Sequence, residues 1–215
     1  MASAPAYRIE TERCVLRCFE LTDARALHAL VHANRAHLAP WLAWAREEPR
    51  SLAEHLELVR AFRQRFDGDS DYAYALLERE RGLLLGSVAL HPIPDEPLAA
   101  TLGYWIAHEH AGRGLATEAV SAVVRSAFEA HRLARVEIHC DASNARSRAL
   151  ADRLGFHLDA ELRGRGHAPG EARAVHSLLA AEYPESPAVS RVATAHDALG
   201  DVLFEPPAPR RSGFR

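Results

Sequence analysis

The stretch GYWIAHEHAGRGLATEAVSAVVRSAFEA, residues 103–130, decides the architecture of this chain. It opens with apolar and aromatic residues typical of a β-strand, passes through the turn Gly112-Arg113-Gly114, and continues as a helix to about residue 130. Apolar side chains recur on one face of that helix, at Ala116, Ala119, Val120, Val123, Ala127 and Phe128. The pattern therefore predicts a strand that leads through a tight glycine turn into a helix with one buried face.

The glycine turn is of a kind that binds anions. Glycines let the backbone come close to a ligand, and the first N–H groups of a helix have no partner within the helix. Together these features suit a phosphate or a pyrophosphate. A glycine turn before a helix is also common for purely structural reasons, so the turn by itself leaves both interpretations open.

Other ligand motifs do not fit the same residues. A dinucleotide-binding fingerprint needs a third glycine where Thr117 stands, and no Walker A sequence ending in Gly-Lys-Ser or Gly-Lys-Thr occurs. His108 and Glu109 begin like a zinc-protease motif, but Gly112 occupies the position of its second histidine. We therefore predict no metal site here.

Working outward from this stretch, alternating apolar residues predict strands and helical spacing predicts helices. The elements predicted before it are a strand or a broken pair of strands at 7–20, a helix opened by Thr22 or Asp23 and reaching about Arg35, a helix capped by Ser51 over about 51–66, and strands at 72–78, 83–91 and 100–108. The elements predicted after it are a strand at 136–140, a helix capped by Ser143 or Asn144 and ending near Leu154, and strands at about 156–163 and 173–180.

This order of elements predicts an α/β (α+β) fold. Its mixed central sheet is mostly antiparallel at first, contains parallel crossovers later, and is flanked by helices. We assign residues 1–183 to one domain. Residues 184–215 contain five prolines, and we interpret them as a tail that lies outside the core.

Composition excludes several kinds of protein. The chain has 215 residues, with 26 basic and 29 acidic side chains and a formal net charge of −3, which leaves no electrostatic footprint for nucleic acid or an anionic membrane. Three cysteines are too few for a disulfide framework. The N-terminal residues do not resemble a signal peptide, and no apolar run is long enough to span a bilayer. These features predict a soluble, cytoplasmic protein, and they leave monomer and homodimer open.

Taken together, the motifs resemble the GNAT acetyltransferase superfamily, and more narrowly its branch that acetylates the N-termini of ribosomal proteins. The resemblance is carried by IETERCVLRCFELTDARAL (9–27), HLAPWLAW (37–44), GYWIAHEHAGRGLATEAV (103–120), RVEIHCDASNARSRALADRLGF (135–156) and SLLAAEY (177–183). It leaves the tail uncovered. It implies a GNAT fold, acetyl-CoA as co-substrate, no metal, and an amine as acceptor.

The resemblance also implies which residues hold acetyl-CoA. Two strands splay apart, and pantetheine runs there beside the main chain of Trp105, Ile106 and Ala107. The turn at Gly112 leads to the amides that bind the pyrophosphate, which are those of Arg113, Gly114, Leu115, Ala116 and Thr117. Asn144 contacts the cofactor, and the Ser147 hydroxyl approaches its sulfur. Relatives usually carry Gln or Arg where this chain has Ala111, so one side-chain contact is expected to be missing.

Direct transfer requires a neutral amine, a polarised thioester carbonyl and a proton for the departing thiolate. We predict that the main-chain N–H of Ile106 or Ala107 stabilises the oxyanion and that Ser147 protonates the sulfur. The alternative for Ser147 is a helix-terminal hydroxyl that satisfies backbone groups. The candidates for the base are Glu137 acting through a water, His167, or water alone, and the alternative for Glu137 is a partnered structural carboxylate.

The sequence leaves the acceptor open. Trp41 and Trp44 flank the break after Pro40, where they either shape the acceptor pocket or belong to the core. The leading hypothesis is transfer to the α-amino group of a protein such as a ribosomal protein. A small amine, such as an aminoglycoside or a polyamine, is the alternative that an acidic pocket would favour. A non-catalytic module that binds an acyl-CoA and regulates a partner comes last, because Asn144 and Ser147 are both present.

Overall fold

The computed structural model describes residues 5–166, 170–189 and 192–206. Its centre is one sheet of ten strands, namely β1 (Arg8–Thr11), β2 (Cys14–Cys18), β3 (Tyr72–Glu78), β4 (Leu84–Ile93), β5 (Glu96–Ile106), β6 (Arg135–Asp141), β7 (His157–Arg163), β8 (Ala172–Leu179), β9 (Ala193–His196) and β10 (Val202–Phe204). The α-helices of these ranges are α1 (Ala24–Leu38), α2 (Ala43–Arg46), α3 (Leu52–Asp67), α4 (Leu115–Glu129) and α5 (Ala145–Arg153). None of them combines the length and the apolar composition that a membrane span requires.

The predicted mixed, mostly antiparallel sheet is confirmed. Its strand order is β10-β9-β1-β2-β3-β4-β5-β6-β8-β7. The β5–β6 pair is parallel and is joined through α4, whereas the other neighbouring pairs are antiparallel. The expectation of several parallel crossovers is wrong, because β8 lies between β6 and β7 and pairs antiparallel with both.

Alternation along the strands gives the sheet two buried faces. On one face, α4 and α5 cover even-numbered side chains of the central strands, among them Leu102, Val136 and Ile138. On the opposite face, α1 and α3 cover odd-numbered side chains, among them Ala75 and Trp105. The position of a residue on β5 or β6 therefore decides which of the two faces its side chain reaches.

The sequence predicted the start of α3 more accurately than the start of α1. The cap of α3 is confirmed, because Ser51 Oγ accepts a hydrogen bond from Glu54 N at 3.2 Å, and the Glu54 carboxylate accepts one from Ser51 N at 2.7 Å. Before α1, a 3₁₀ turn over Leu21–Asp23 intervenes, and its capping box is formed by Glu20 and Asp23. The first helix therefore begins at Ala24, just after the predicted caps.

The described part of the tail belongs to the core, so the interpretation of it as an appendage is wrong. Strand β9 pairs antiparallel with β1, and β10 pairs with β9, which extends the sheet beyond its first strand. Four tail side chains are buried against the α4 face, namely Ala188, Ala193, Ala195 and Phe204. The guanidinium of Arg125 on α4 lies 4.4 Å from the Phe204 ring centroid and donates to the Ala193 carbonyl at 3.2 Å. The boundary between 183 and 184 stays a prediction.

Removing the Phe204 ring should test this packing. Phe204 is 7% exposed, so Phe204→Ala should lower the free energy of unfolding by about 3 kcal/mol through loss of a buried ring and its contact with Arg125. Urea denaturation followed by circular dichroism measures the change. Leu199→Ala is the control, since Leu199 is 87% exposed between the last two strands and should have little effect. Equally small effects in both variants would show that β10 does not stabilise the domain.

His131 should make the stability of the fold depend on pH. It lies just after α4 with 9% of its surface exposed, its ring is 4.4 Å from that of Tyr72, and burial lowers its pKa from 6.5 to about 4. The unfolded chain therefore binds this proton more readily, so the contribution of His131 is complete above pH ~6.5 and is lost as the pH falls towards ~4.

We expect the protein to lose about 2 kcal/mol of unfolding free energy to this group between pH ~7 and pH ~5. His131→Phe keeps a ring against Tyr72 but cannot be protonated, so its stability should fall less over the same range. Urea denaturation of both proteins at the two pH values compares the slopes. An equally steep loss in His131→Phe would assign the pH dependence to other groups.

Candidate active site

The two parallel strands β5 and β6 separate before they end. They pair only where Ala99–Thr101 faces Arg135–Glu137, although β5 continues to Ile106 and β6 to Asp141. Beyond that pairing, the facing edges of both strands present main-chain N–H and C=O groups to the gap. Tyr104, Trp105 and Ile106 are only half-buried there. The predicted splay is therefore present, and it forms a groove that can bond a ligand along its backbone.

Only part of the predicted main-chain set faces this groove. The Ala107 N–H donates to the Leu85 carbonyl at 2.8 Å. Because ladder bonds in an antiparallel pair recur at every second residue, Trp105 also directs its main chain towards β4. Tyr104 and Ile106 direct theirs across the splay towards β6. Of the two N–H groups predicted for the oxyanion, the one at Ile106 is therefore available and the one at Ala107 is not.

The glycine turn presents free amides. Gly112 and Gly114 have φ values of 77° and 78°, in the left-handed region that favours glycine, and α4 starts directly after Gly114 without a side-chain cap. The first amide to bond back to the turn is Glu118 N, which donates to the Gly114 carbonyl at 3.0 Å. The helical N–H groups before it have no partner within the helix; they belong to Leu115, Ala116 and Thr117. The predicted geometry is present, and the binding of a phosphate there stays a prediction.

A salt bridge that the sequence did not indicate fixes this turn. Arg13, between β1 and β2, donates from Nε to the Glu118 carboxylate at 2.7 Å and from Nη1 to the Arg113 carbonyl at 2.9 Å. Thr11 Oγ1 donates to the same carboxylate at 2.6 Å. Burial alone would raise the pKa of Glu118, but these hydrogen bonds hold it below its ordinary value. The first two strands therefore hold the turn through a charged contact with α4.

A cavity of about 480 Å³ lies beside the turn, and its wall includes Arg13, Gly114, Thr117 and Arg153. Arg153, the last residue of α5, donates from Nη1 to Thr117 Oγ1 at 3.3 Å. Two guanidinium groups therefore lie near the free amides. The same wall contains the carboxylates of Glu12 and Glu118, and Glu118 is paired with Arg13. The free amides and the Arg153 guanidinium are therefore the groups that suit a phosphate.

Asn144 and Ser147 lie together at the start of α5. Asn144 Oδ1 caps the helix by accepting a hydrogen bond from Ser147 N at 3.1 Å. The Ser147 hydroxyl lies 2.8 Å from the phenol of Tyr104 and also interacts with the buried thiol of Cys140. Burial raises the pKa of Tyr104 to about 12, so its phenol stays protonated and can donate to Ser147 Oγ. Either oxygen of the pair can be the donor, and when Tyr104 donates, the Ser147 proton can go to the Cys140 thiol or to another acceptor.

Sequence reasoning missed Tyr104. The alternation along β5 could have indicated it, because residue 104 falls on the α5 side of the sheet while Trp105 falls on the other.

Glu137 is engaged by its neighbours. Its Oε1 lies 2.8 Å from Arg135 Nε, and its Oε2 lies 2.6 Å from His139 Nε2. These contacts favour the partnered structural carboxylate over the catalytic base. His167 lies outside the described residues. Within the described part of the chain, no group of three or more His, Cys, Asp or Glu side chains is arranged to hold a metal ion.

A second cavity, of about 440 Å³, lies on the α1 and α3 face of the sheet. We name it the acceptor cavity after the acceptor pocket predicted from Trp41 and Trp44. Its wall is largely aromatic and aliphatic, with Phe19, Leu27, Val31, Trp44, Phe62 and Trp105 among its residues. The rings of Trp44 and Trp105 meet edge to face, with centroids 5.9 Å apart. Trp41 is half-buried and is not part of this wall. Of the two tryptophans predicted for an acceptor pocket, Trp44 lines this cavity, and the binding of an acceptor there stays a prediction.

Comparison with known proteins gives the family. The family described as Acetyltransferase (GNAT) domain matches residues 13–157, which include the splayed strands, the glycine turn and α5. YdaF of Bacillus subtilis is 34% identical over 145 residues, covering 67% of this chain and 78% of that protein. The ribosomal-protein-serine acetyltransferase of Escherichia coli is 28% identical over 154 residues, covering 69% of this chain and 82% of that protein.

A solved structure has the same fold. RimJ of Mycobacterium smegmatis aligns with a TM-score of 0.76 at 22% identity, covering 87% of this chain and 94% of that one. The family match spans more than half of the chain and the whole of the splayed site. The chain therefore belongs to the GNAT acetyltransferase family and is an N-acetyltransferase.

Proposed function

We propose that this protein transfers an acetyl group from acetyl-CoA to the α-amino group of a protein, such as a ribosomal protein. The observation that carries the proposal is the end of β5, where two compartments meet. Trp105 lines the acceptor cavity on one face of the sheet, and Tyr104 reaches Ser147 on the other. A donor lying along the splay and an amine in the cavity would come together at this point.

The donor half of the site has the properties that acetyl-CoA requires. The free amides after Gly114, at the positive end of α4, suit its pyrophosphate. The main-chain groups of Tyr104 suit the amides of pantetheine, whereas the Ile106 carbonyl already interacts with the His37 side chain. Ala111 supplies no polar side chain, but Arg13 and Arg153 place cations beside the turn. We propose that these arginines replace the contact that relatives make from the position of Ala111.

Two groups of this chain would act on the reacting atoms. The Ile106 N–H points into the splay and would stabilise the oxyanion, a preorganised role worth about 3 kcal/mol. As the amine nitrogen bonds to the acetyl carbon and the carbon–sulfur bond breaks, the Ser147 hydroxyl would donate its proton to sulfur. Tyr104 would keep Ser147 Oγ in place through its own hydrogen bond. Because both oxygens of Glu137 are engaged, water would take the proton that the amine loses, and a proton from water would restore the Ser147 hydroxyl.

Among amine acceptors, an α-amino group needs the least help from the site to become neutral. The pKa of an α-amino group is ~8, against ~10.4 for lysine, so more of it is neutral at physiological pH. Relatives point the same way: Escherichia coli has a ribosomal-protein-serine acetyltransferase at 28% identity and a ribosomal protein uS5-alanine N-acetyltransferase at 26% identity. These enzymes are named for acceptors that are proteins. With such an acceptor the enzyme would work in the cytoplasm.

A small amine is the second candidate. Glu48 places one carboxylate in the wall of the acceptor cavity, which favours a cationic ligand. Arg50 lies on the same wall, so the cavity does not have the strongly acidic character that a polyamine would require. The protein acceptor therefore stays first.

The experiment that tests the proposal measures free-thiol release from acetyl-CoA with purified protein. The acceptors are peptides that begin with Ser or Ala, the same peptides with a blocked N-terminus, and a panel of small amines. Turnover that needs a free peptide N-terminus supports the proposal. Turnover with small amines alone assigns the second candidate. Acetyl-CoA binding without thiol release from any acceptor would contradict both.

A further inference from the structure

The wall of the acceptor cavity contains a carboxylate oxygen that lacks a hydrogen-bond donor. Glu48 follows α2 and is 3% exposed, and its Oε2 accepts a hydrogen bond from Arg50 N at 2.7 Å. Its Oε1 is buried without a hydrogen-bond partner. The side-chain nitrogens around Oε1 are His55 Nε2 at 3.7 Å and the guanidinium Nε of Arg50 at 4.0 Å, both beyond hydrogen-bond range. Because a buried carboxylate oxygen without a hydrogen bond is unfavourable, this end of the cavity lacks one hydrogen-bond donor beside Oε1.

Three other polar side chains of the wall already have partners. Ser87 Oγ donates to the Tyr74 carbonyl at 2.8 Å, and His91 Nδ1 lies 2.9 Å from an Asp71 carboxylate oxygen. His55, which is 1% exposed, has its Nδ1 at 3.2 Å from the Ser51 carbonyl. The remaining wall is mostly apolar. A ligand that fits these surroundings carries one cationic donor group and a modest apolar substituent.

We propose that Glu48 binds the protonated primary amine of the acceptor, with the apolar part of the acceptor against Trp44 and Trp105. This inference rests on the proposed function, because it places the protonated acceptor in the cavity before the amine loses its proton to water and attacks the acetyl carbon. A primary ammonium carries three N–H donors, and one of them would supply the hydrogen bond that Glu48 Oε1 lacks. A protein N-terminus and a small amine share this chemistry. An N-terminus that is already acetylated carries no charge and has lost this interaction, so the same residue would favour release of the product.

The first test is a binding experiment that needs no turnover. The probes are 2-phenylethylamine, which is protonated at neutral pH, and 2-phenylethanol, its neutral analogue. Their binding is followed by the fluorescence of the cavity tryptophans. We expect the wild-type protein to bind the amine at least about tenfold more tightly than the alcohol, because a charged hydrogen bond forms only with the amine. Glu48→Gln should abolish this preference.

Two further variants make the outcome decisive. Glu57→Gln removes the same charge from α3 at a side chain that is 68% exposed, and it should keep the preference. Glu48→Asp keeps the negative charge and should recover part of the preference for the amine. Unfolding midpoints establish that each variant is folded. The inference is overturned if Glu48→Gln keeps the preference, or if the wild-type protein binds both probes equally.

The second test uses acetyl transfer and separates the inference from the proposed function. With a Ser-initiated peptide or 2-phenylethylamine as acceptor, Glu48→Gln should raise the acceptor KM about tenfold. The dissociation constant for acetyl-CoA should stay unchanged, and whichever acceptor turns over identifies its source. Glu48-dependent binding of the amine without acetyl transfer to either acceptor would contradict the proposed function and leave the binding role of Glu48 standing. Equal acceptor KM values for Glu48→Gln and the wild-type protein would contradict the inference and leave the proposed function standing.

Discussion

Replacing Ser147 with alanine should lower kcat about 100-fold, while the dissociation constant for acetyl-CoA should change less than about twofold. The Ser147 hydroxyl lies 2.8 Å from a Tyr104 phenol whose pKa burial raises to about 12. Tyr104 can therefore donate to Ser147 Oγ while the Ser147 proton goes to the departing thiolate. The affinity for acetyl-CoA should stay nearly unchanged, because the proposed phosphate contacts come from the turn before α4. Thiol-release kinetics and calorimetric titration with acetyl-CoA measure the two quantities.

Conservative and neighbouring variants separate proton donation from a structural role of this hydroxyl. Ser147→Thr keeps a hydroxyl and should recover most of kcat. Ser143→Ala removes a hydroxyl that donates to Asp141 at 2.5 Å, and it should leave kcat nearly unchanged. Tyr104→Phe should give a smaller loss than Ser147→Ala, since Tyr104 only orients the donor. If Ser147→Ala lowers the unfolding midpoint but keeps kcat, the hydroxyl serves the helix start and the proton comes from elsewhere.

The parts of the fold that could be predicted depend on short-range patterns. The strand, glycine turn and helix of residues 103–130 follow from alternation, from the conformational freedom of glycine, and from helical spacing. The cap at Ser51 and the cap at Asn144 are decided by residues within three positions. The order of elements was enough to indicate a mixed sheet with a parallel pair. These features need no knowledge of distant contacts.

The parts that could not be predicted depend on contacts between distant residues. Arg13 meets Glu118 across 105 positions, and Tyr104 meets Ser147 across 43. Strands β9 and β10 have only four and three residues, so alternation within them is too brief to recognise. The pairing of β9 with β1 and of β10 with β9 gives them their structure. Pairing partners likewise decided which N–H groups on β5 are free.

Replacing Gly114 with valine should weaken acetyl-CoA binding at least about 100-fold. Gly114 has φ = 78°, a conformation that costs a β-branched residue roughly 1–2 kcal/mol or more. A shift of the backbone would relieve about this much strain. Such a shift would move the following amides, and each charge-assisted hydrogen bond lost from the pyrophosphate costs about 1.5–3 kcal/mol. Losing one strong bond or two weaker ones accounts for the predicted factor. Calorimetric titration with acetyl-CoA measures it.

Gly82→Val is the matched control for this prediction. Gly82 has φ = 65° in the turn between β3 and β4, and a Cβ there would meet no atom within 4 Å. The two variants should therefore suffer similar backbone strain and similar losses of unfolding free energy. Only Gly114→Val should lose acetyl-CoA, because only its turn presents amides at the start of α4. If Gly114→Val binds acetyl-CoA like the wild-type protein, the phosphates depend on the guanidinium groups of Arg13 and Arg153 and not on the backbone of the turn.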